Sequence, residues 1–273
     1  MDISIIIVNY NSGEFLYNCI KSIQESIIGI EYEIIIIDNY STDKSLEICK
    51  NLLNRNIQII KLEENLGFSK ANNIGIKYSK GTVLHFLNPD TRIDSEMNKD
   101  YTYILKEVKS GHEKIYSNKL LNRDGSYTYK IIMPLPLSKI RDKIKKTNEH
   151  DYFYSGATII ISKQLMETLG GWNEAMFMYC EDTDLSYKAY QKGIKIQSMP
   201  AIIYHYGGGS SERSLTNISH EIIMHKSLRA FYRVNNICIL QYWLVIMIFC
   251  MELIIYKRAK KLPLYIKGII KSF

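Results

Sequence analysis

The sequence has few cysteines, and nothing in their placement would pair them. Its 273 residues contain five, which are widely spaced and lie mostly in apolar or helical stretches: Cys19, Cys49, Cys180, Cys238 and Cys250. An odd, scattered set excludes a disulfide framework and a Cys-x-x-Cys metal site. The chain also lacks a basic segment before its first apolar run, 3–8, which is too short for a signal peptide. We therefore expect a protein of the reducing cytoplasm.

The net positive charge of the chain comes almost entirely from its C-terminal tail. The formal net charge is +7, but residues 253–273 alone hold six lysines and arginines and no acid. The remainder is nearly neutral, and its sequence shows no zinc finger, no aromatic RNA-binding strand pair and no leucine-zipper basic region. We therefore expect no nucleic-acid partner.

Roughly the first 90 residues alternate apolar runs with amphipathic stretches, which is typical of a βαβ series. The pattern predicts strands over 3–8, 33–38, 57–62 and 83–87, and helices over 13–25, 42–53 and 69–78. The predicted fold class is α/β, with a mostly parallel sheet covered by helices on both faces. Because parallel strands present their carboxyl ends together, Asn9, Asp38, Asn65 and the segment 88–90 should face one crevice.

The second half of the chain is less regular. We predict a helix over 95–109, a mobile polar connector up to residue 150, a strand over 156–161 and a helix to Leu169. An acidic helix over 181–191, a strand over 201–204, a glycine-rich loop over 207–211 and a helix over 219–234 follow. These changes in pattern suggest boundaries near residues 93 and 235.

Two acidic motifs can carry chemistry. Asn88-Pro89-Asp90 ends a strand, so Asp90 should emerge at the crevice, where a carboxylate suits Mg²⁺ or Mn²⁺. The alternative is a turn that begins the next helix. Glu181 and Asp182 begin an acidic helix, where one acid is enough to cap the backbone amides. Crowded carboxylates repel, which raises a pKa towards a value useful for accepting a proton.

His205 follows a strand and precedes three glycines. A lone histidine is commonly a structural residue with its hydrogen bonds satisfied. Neutral imidazole is also a competent metal ligand, which would complement Asp90 where a second carboxylate is missing.

Together these motifs resemble the family 2 glycosyltransferases, which are inverting enzymes of GT-A fold, and within them the rhamnosyltransferase-like branch. The resemblance covers roughly residues 1–235. It rests on seven motifs in the family's order: Ile6–Asn11, Ile37–Asp43, Glu64–Phe68 with Asn72 and Asn73, Leu87–Thr91, Gly170–Glu174, Phe177–Asp182, and His205 with its glycines.

The resemblance implies a role for each matching residue. The implied donor-binding residues are Asn9, Tyr10, Asp38, Asn39, Asn65, Gly67, Asn72, Asn88 and Asp90, of which Tyr10, Asp38 and Asn39 would hold the nucleotide base. Asp90 and His205 would hold the metal. Asn88 replaces the first aspartate of the family's metal motif, which removes one anionic ligand.

The acceptor side is implied in the same way. Asp182 matches the catalytic base, and Glu181 would be its partner in holding acceptor hydroxyls. Trp172 would offer an apolar face to the acceptor.

The implied activity is transfer of a sugar from a nucleoside-diphosphate donor, with dTDP-rhamnose or a UDP-sugar favoured, to a glycan or lipid-linked acceptor. Residues 1–93 would bind the nucleotide sugar and 94–235 the acceptor. A nucleotidyltransferase is the alternative enzyme, but such enzymes carry an arginine in the loop after the first strand, and the loop 9–13 has none. An inactive sugar-nucleotide-binding relative is the non-enzymatic alternative, and a homo-oligomer is compatible with the sequence.

The tail 236–273 begins with an apolar stretch over 237–255, which Gln241 and Glu252 interrupt. Its length is close to that of a transmembrane helix. Basic residues flank both ends, which favours a helix lying in the membrane interface at the inner face of the cytoplasmic membrane. A spanning helix and a helix buried against the catalytic domain or a dimer partner are the alternatives.

Overall fold

The computed structural model describes residues 1–128, 130–144, 152–207, 217–255 and 261–272. Within these residues the strands form a nine-stranded sheet and a separate two-stranded sheet. From one edge of the large sheet to the other, the strands are those that begin at Ile57, Tyr32, Ile3, Val83, Thr158, Ile115, Ile196 and Thr91, and a ninth strand, which begins at Tyr127, pairs with the one that begins at Ile115.

The first half forms the parallel part of the sheet. Its elements are β1 (Ile3–Asn9), α1 (Glu14–Ser26), β2 (Tyr32–Asp38), α2 (Ser45–Ile48), β3 (Ile57–Lys61), α3 (Gly67–Tyr78) and β4 (Val83–Leu87). The isoleucine-rich cores of β1 and β2 are fully buried, as expected of central strands covered on both faces. The predicted strands are confirmed. The helix predicted over 42–53 is shorter, since it ends at Ile48 and a 3₁₀ turn follows.

The second half completes the sheet. Its elements are β5 (Thr91–Arg92), α4 (Met97–Lys109), β6 (Ile115–Asn122), β7 (Tyr127–Thr128), β8 (Lys130–Ile132), α5 (Pro136–Lys143), β9 (Tyr152–Tyr154), β10 (Thr158–Ser162), α6 (Lys163–Thr168), α7 (Glu181–Gln191) and β11 (Ile196–His205). Strand β10 runs antiparallel to both β4 and β6, whereas β11 runs parallel to β6. Strands from both sides of the predicted boundary at residue 93 therefore share one sheet.

Strand β6 corrects the prediction of a mobile connector after α4. Its buried residues include Ser117 and Asn118, which hide the apolar pattern of a strand. Both donate tertiary hydrogen bonds: Ser117 Oγ donates to the Thr158 carbonyl at 3.1 Å, and Asn118 Nδ2 donates to Asp100 Oδ2 at 2.8 Å. A buried polar group is tolerated when it has such a partner, so composition alone misses this strand.

Three helices close the described chain: α8 (Asn217–Val234), α9 (Ile239–Ile255) and α10 (Leu262–Ser272). They pack around a separate apolar cluster that includes Met133, Phe231 and Tyr242. No helix among the described residues combines the length and hydropathy needed to cross a membrane. The glycines at 208 and 209 and the basic residues Lys257, Arg258 and Lys260 lie outside the described residues.

Candidate active site

A cleft of about 290 Å³ opens at the carboxyl ends of β1, β2 and β4. The parallel arrangement of these strands brings their final residues to one edge of the sheet. Nine of the residues predicted from the sequence line this cleft: Tyr10, Asn39, Asn65, Gly67, Asn88, Asp90, Glu181, Asp182 and His205.

Three other predicted residues lie behind the lining. Asn9 is fully buried, and its Nδ2 donates to Asp38 Oδ1 at 2.8 Å, so it ties the end of β1 to the end of β2. Asn72 is also buried, and its Nδ2 donates to the Phe68 carbonyl at 3.1 Å. Their side chains hold the wall of the cleft.

The segment Asn65–Gly67 forms the wall beside the end of β2. Asn39 Nδ2 donates to Asn65 Oδ1 at 2.8 Å, and Asn39 Oδ1 accepts from the Leu66 amide at 2.8 Å. Gly67 has a φ of +80°, which favours glycine. A β-carbon at Gly67 would also collide with the backbone of Phe177, whose carbonyl accepts from the Phe68 amide at 2.7 Å. Glycine is therefore required here on two grounds.

Asp90 and His205 face each other across the cleft mouth. The pairing of β5 with β11 sets Thr91 opposite His205, and the Tyr206 amide donates to the Asp90 carbonyl at 2.9 Å. As a result, Asp90 Oδ1 lies 3.5 Å from His205 Nε2. The Asp90 side chain is largely buried and the His205 side chain is 19% exposed.

This pair fits a divalent cation that takes its other ligands from a substrate. Among the described residues there is no cluster of three metal-ligating side chains. Mg²⁺ is commonly bound by one or two carboxylates together with phosphate oxygens, and imidazole is an acceptable ligand for transition metals. One carboxylate and one imidazole are therefore a sufficient protein contribution only if phosphate oxygens complete the site.

Asp182 stands at the start of α7, with its carboxylate fixed by backbone amides. Gly156 N donates to Asp182 Oδ2 at 2.9 Å, and Thr183 N donates to Asp182 Oδ1 at 2.7 Å. The Thr183 hydroxyl also donates to Oδ1, at 3.4 Å. Oδ2 is therefore the oxygen with a lone pair left to accept a proton. Burial raises the pKa of Asp182, and the amide hydrogen bonds oppose that rise. A carboxylate with a raised pKa is a better base than an exposed aspartate.

The turn before α7 is strained. Tyr179 and Cys180 have φ values of +72° and +66°, in the left-handed region that few non-glycine residues adopt. Such strain costs roughly 1–3 kcal/mol for each residue and persists where the surrounding structure imposes it. The turn directs both Glu181 and Asp182 towards the cleft.

Glu181 is buried beside Asp182. Its Oε2 accepts no hydrogen bond from the part of the protein that the structure describes. Burial, reinforced by the negative charge of Asp182, raises the pKa of Glu181 well above its usual range. The raised pKa favours the protonated form of Glu181, which can donate a hydrogen bond.

Trp172 corrects the expectation of an apolar face for the acceptor. It is 1% exposed and packs edge-on against Phe68 and Phe86, with ring centroids 5.5 and 5.0 Å away. Its backbone amide donates to Asn73 Oδ1 at 2.9 Å, which fixes the turn before it to α3. The side chain belongs to the core, because the turn carrying it folds inwards onto α3.

A family model decides the identity of this fold. The model described as "Glycosyl transferase family 2" matches residues 4–170, which is more than half of the chain. The chain belongs to this family. The family resemblance seen in the sequence is thereby confirmed.

This glycosyltransferase is similar in sequence to two characterised relatives and in structure to one solved protein. It is 31% identical over 210 residues to the low-salt glycan biosynthesis hexosyltransferase Agl10 of Haloferax volcanii, covering 71% of this chain and 64% of that protein. It is 28% identical over 245 residues to the dTDP-rhamnosyl transferase RfbF of Shigella flexneri, covering 85% of this chain and 77% of that protein. Thus the match spans less than two thirds of Agl10.

The crystal structure of S. aureus TarS 1-349 in complex with UDP-GlcNAc superimposes with a TM-score of 0.59 at 22% identity, over 84% of this chain and 66% of that one. This likeness shows a shared fold and confirms the predicted GT-A class.

Some lining residues of the glycosyltransferase cleft escaped the sequence reasoning. Gly156, Phe177 and Tyr179 line it beside the predicted residues. Gly156 contributes only its backbone amide, and a backbone amide cannot be recognised from the type of residue that carries it. Tyr179 lies within the Phe177–Asp182 motif, so the motif itself was the available signal.

Proposed function

We propose that this chain is an inverting glycosyltransferase that moves a sugar from a nucleoside-diphosphate donor to a hydroxyl of a glycan acceptor. The observation that carries the proposal is the sharing of one cleft by the Asp90–His205 pair and by Asp182. One group can hold a diphosphate while the other takes a proton from the attacking hydroxyl.

Transfer would proceed by a single displacement. Asp182 accepts the proton of the acceptor hydroxyl as its oxygen attacks the anomeric carbon of the donor. The bond from that carbon to the diphosphate oxygen breaks, and the nucleoside diphosphate leaves from the opposite face. One attack inverts the configuration at this carbon. The fixed carboxylate supports the step because its orientation is set by two backbone amides before the acceptor arrives.

Asp90 and His205 would hold Mg²⁺ or Mn²⁺, which neutralises the charge that grows on the departing diphosphate. On the donor side, Tyr10, Asn39, Asn65 and Gly67 line the part of the cleft beside β1 and β2. We assign the nucleotide to this part. Asp38 and Asn9 would support it from behind.

We propose dTDP-rhamnose or a UDP-sugar as the donor. The identity to a dTDP-rhamnosyl transferase supports the first, and the fold shared with a protein crystallised with UDP-GlcNAc is compatible with the second. For the acceptor we propose a lipid-linked glycan of a surface polysaccharide, met at the inner face of the cytoplasmic membrane. The exposed apolar side chains of α9 support this peripheral location.

The test is an assay of the purified chain with dTDP-rhamnose, UDP-glucose, UDP-GlcNAc and GDP-mannose, each with Mn²⁺ or EDTA. Release of nucleoside diphosphate without acceptor reports donor hydrolysis, and NMR of the transferred sugar reports its configuration. We expect metal-dependent release from one donor class and an inverted product. A retained configuration would contradict the single displacement. Formation of a nucleoside triphosphate and a sugar 1-phosphate when pyrophosphate is added would identify a nucleotidyltransferase instead.

A further inference from the structure

A second cavity lies against the acid pair, on the side of the C-terminal helices. Its volume is about 590 Å³ and its lining is predominantly apolar. Its apolar lining includes side chains from β9, α8 and α9: Phe153, Met224, Leu228, Val245, Ile248 and Phe249. The polar lining includes Lys139, Glu221 and Glu252.

The two cavities share a wall. Tyr179, Glu181 and Asp182 line both the donor cleft and the apolar cavity. A molecule in the apolar cavity therefore reaches the same carboxylates as the donor does, but from another direction. Since the donor occupies the first cleft, the second cavity is an approach for the acceptor.

Helix α8 is fixed to the segment that carries the acids. Ser227 Oγ donates to the Met178 carbonyl at 2.7 Å, and Asn235 Nδ2 donates to Asp184 Oδ1 at 2.7 Å. The cavity wall and the acids therefore form one packed unit, and the cavity keeps its place beside Asp182.

Helix α9 presents apolar side chains on both of its faces. Val245 and Ile248 are buried and line the cavity. On the opposite side Leu240, Met247 and Ile254 are exposed, at 71%, 59% and 57%. An exposed apolar helix face of this kind is typical of proteins that lie at a membrane surface. A ligand drawn from the membrane would therefore meet this helix first.

We propose that the apolar cavity binds the hydrocarbon chain of the lipid that carries the acceptor, so that the acceptor hydroxyl is presented to Asp182. This inference rests on the proposed glycosyl transfer. A flexible chain fits a half-open cavity lined by several elements, whereas a second protein would cover the exposed face of α9 and leave the cavity unfilled. Hydrocarbon also matches a lining whose surface is predominantly apolar.

The experiment compares two substitutions of the same residue type on α9. Ile248→Trp fills the cavity, and Ile254→Trp adds the same bulk to the exposed face. The probe is dodecyl maltoside below its micelle concentration, with maltose as the matched sugar that lacks the chain. Titration calorimetry measures both, and UDP with Mn²⁺ is titrated in parallel.

The wild type should bind dodecyl maltoside about tenfold or more tightly than maltose, because many methylene groups leave water. Ile248→Trp should lose most of this preference, and Ile254→Trp should keep it to within about twofold. Leu228→Phe fills the cavity from α8 and should weaken binding in the same direction. It decides the matter if Ile248→Trp does not fold.

Equal binding of the probe by the wild type and the cavity-filling variants would overturn the proposal. An equal loss of binding in Ile248→Trp and Ile254→Trp would also overturn it, because binding would then not depend on the cavity in particular. UDP binding should be unchanged in all variants. Failure of the wild type to bind UDP or hydrolyse any donor would count against the proposed transfer itself, whatever the result with the hydrocarbon probe.

Discussion

The two sides of the Glu181–Asp182 pair are built differently. On the donor side, polar side chains at strand ends bind one another, as in the bond of 2.8 Å between Asn39 and Asn65. On the side of α8 and α9, a large cavity has a predominantly apolar lining. A rigid polar wall suits a small charged ligand of fixed shape, whereas an apolar cavity suits a flexible chain. Under the proposed transfer, the donor and the acceptor would be recognised by different physical means.

Asp182 stands where the two sides meet, so its loss should separate transfer from binding. We expect Asp182→Asn to lower the transfer rate by roughly 10²-fold or more, because the general base is lost. Binding of UDP should stay within about twofold of the wild type, since the amide keeps the size of the carboxylate. Steady-state transfer assays and UDP titrations measure both effects.

Asp184→Asn is the matched control on the same helix. Asp184 is buried, and its Oδ2 pairs with Lys188 Nζ at 2.8 Å, but it does not line the cleft. This variant should lose thermal stability and keep its transfer rate. Transfer by Asp182→Asn above about a tenth of the wild-type rate would be inconsistent with a general base.

Asp90 and His205 line the donor cleft but not the apolar cavity, so removing the metal that we propose they hold should not affect binding in the apolar cavity. We expect EDTA to abolish transfer, and Mn²⁺ or Mg²⁺ to restore it. His205→Ala should raise the Mn²⁺ concentration at half activity by about tenfold, since one of two protein ligands is lost. Dodecyl maltoside binding should not change. His112→Ala, at an exposed histidine on the loop after α4, is the control. Full activity of the wild type in EDTA would contradict a role for a divalent metal in transfer.

The rigidity of the donor wall can be tested with two glycines of nearly equal backbone conformation. Gly67 and Gly170 have φ values of +80° and +81°, but only at Gly67 would a β-carbon meet other atoms, those of Phe177. Both alanine variants should lose about 1 kcal/mol from backbone strain. Gly67→Ala should lose more, by roughly 1–3 kcal/mol, and should also weaken UDP binding. Denaturant unfolding and UDP titration give the two numbers. Equal losses of stability and equal UDP affinities in the two variants would show that the cleft wall at Gly67 can move to accommodate a β-carbon.

The raised pKa of Glu181 should make the free energy of unfolding depend on pH. A carboxyl whose pKa is higher in the folded state binds its proton more tightly there, so stability falls as pH rises above the unfolded pKa, about 4.3 for glutamate. The fall continues up to the raised folded pKa, at no more than ~1.4 kcal/mol per pH unit. Glu181→Gln has no proton to lose.

The free energy of unfolding is measured by denaturant titration from pH 4 upwards. As pH rises, the value for Glu181→Gln should increase steadily relative to that of the wild type. Glu174→Gln, at an exposed carboxyl outside the cleft lining, is the control for replacing a glutamate by glutamine elsewhere on the protein. Parallel curves for Glu181→Gln would contradict the raised pKa.

The sequence predicted the parallel strands and the cleft at their carboxyl ends well, because strands rich in isoleucine are easily recognised and the ends of parallel strands must meet. It also predicted α7 at its observed bounds, Glu181–Gln191. Strand β6 was missed because Ser117 and Asn118 donate hydrogen bonds to partners distant in sequence. Trp172 was misplaced because nothing local shows that its turn folds onto α3. The apolar cavity was not foreseen, because it exists only where α8 and α9 pack against β9, and no local pattern reports such packing.

A structure of the protein with Mn²⁺ and a non-hydrolysable sugar nucleotide tests the central claim most directly. We predict that the diphosphate lies at Asp90 and His205, and that the anomeric carbon of the sugar faces the Asp182 carboxylate with the leaving oxygen on its far side. A nucleotide bound with its sugar directed away from Asp182, or with its diphosphate outside the reach of Asp90, would contradict the account.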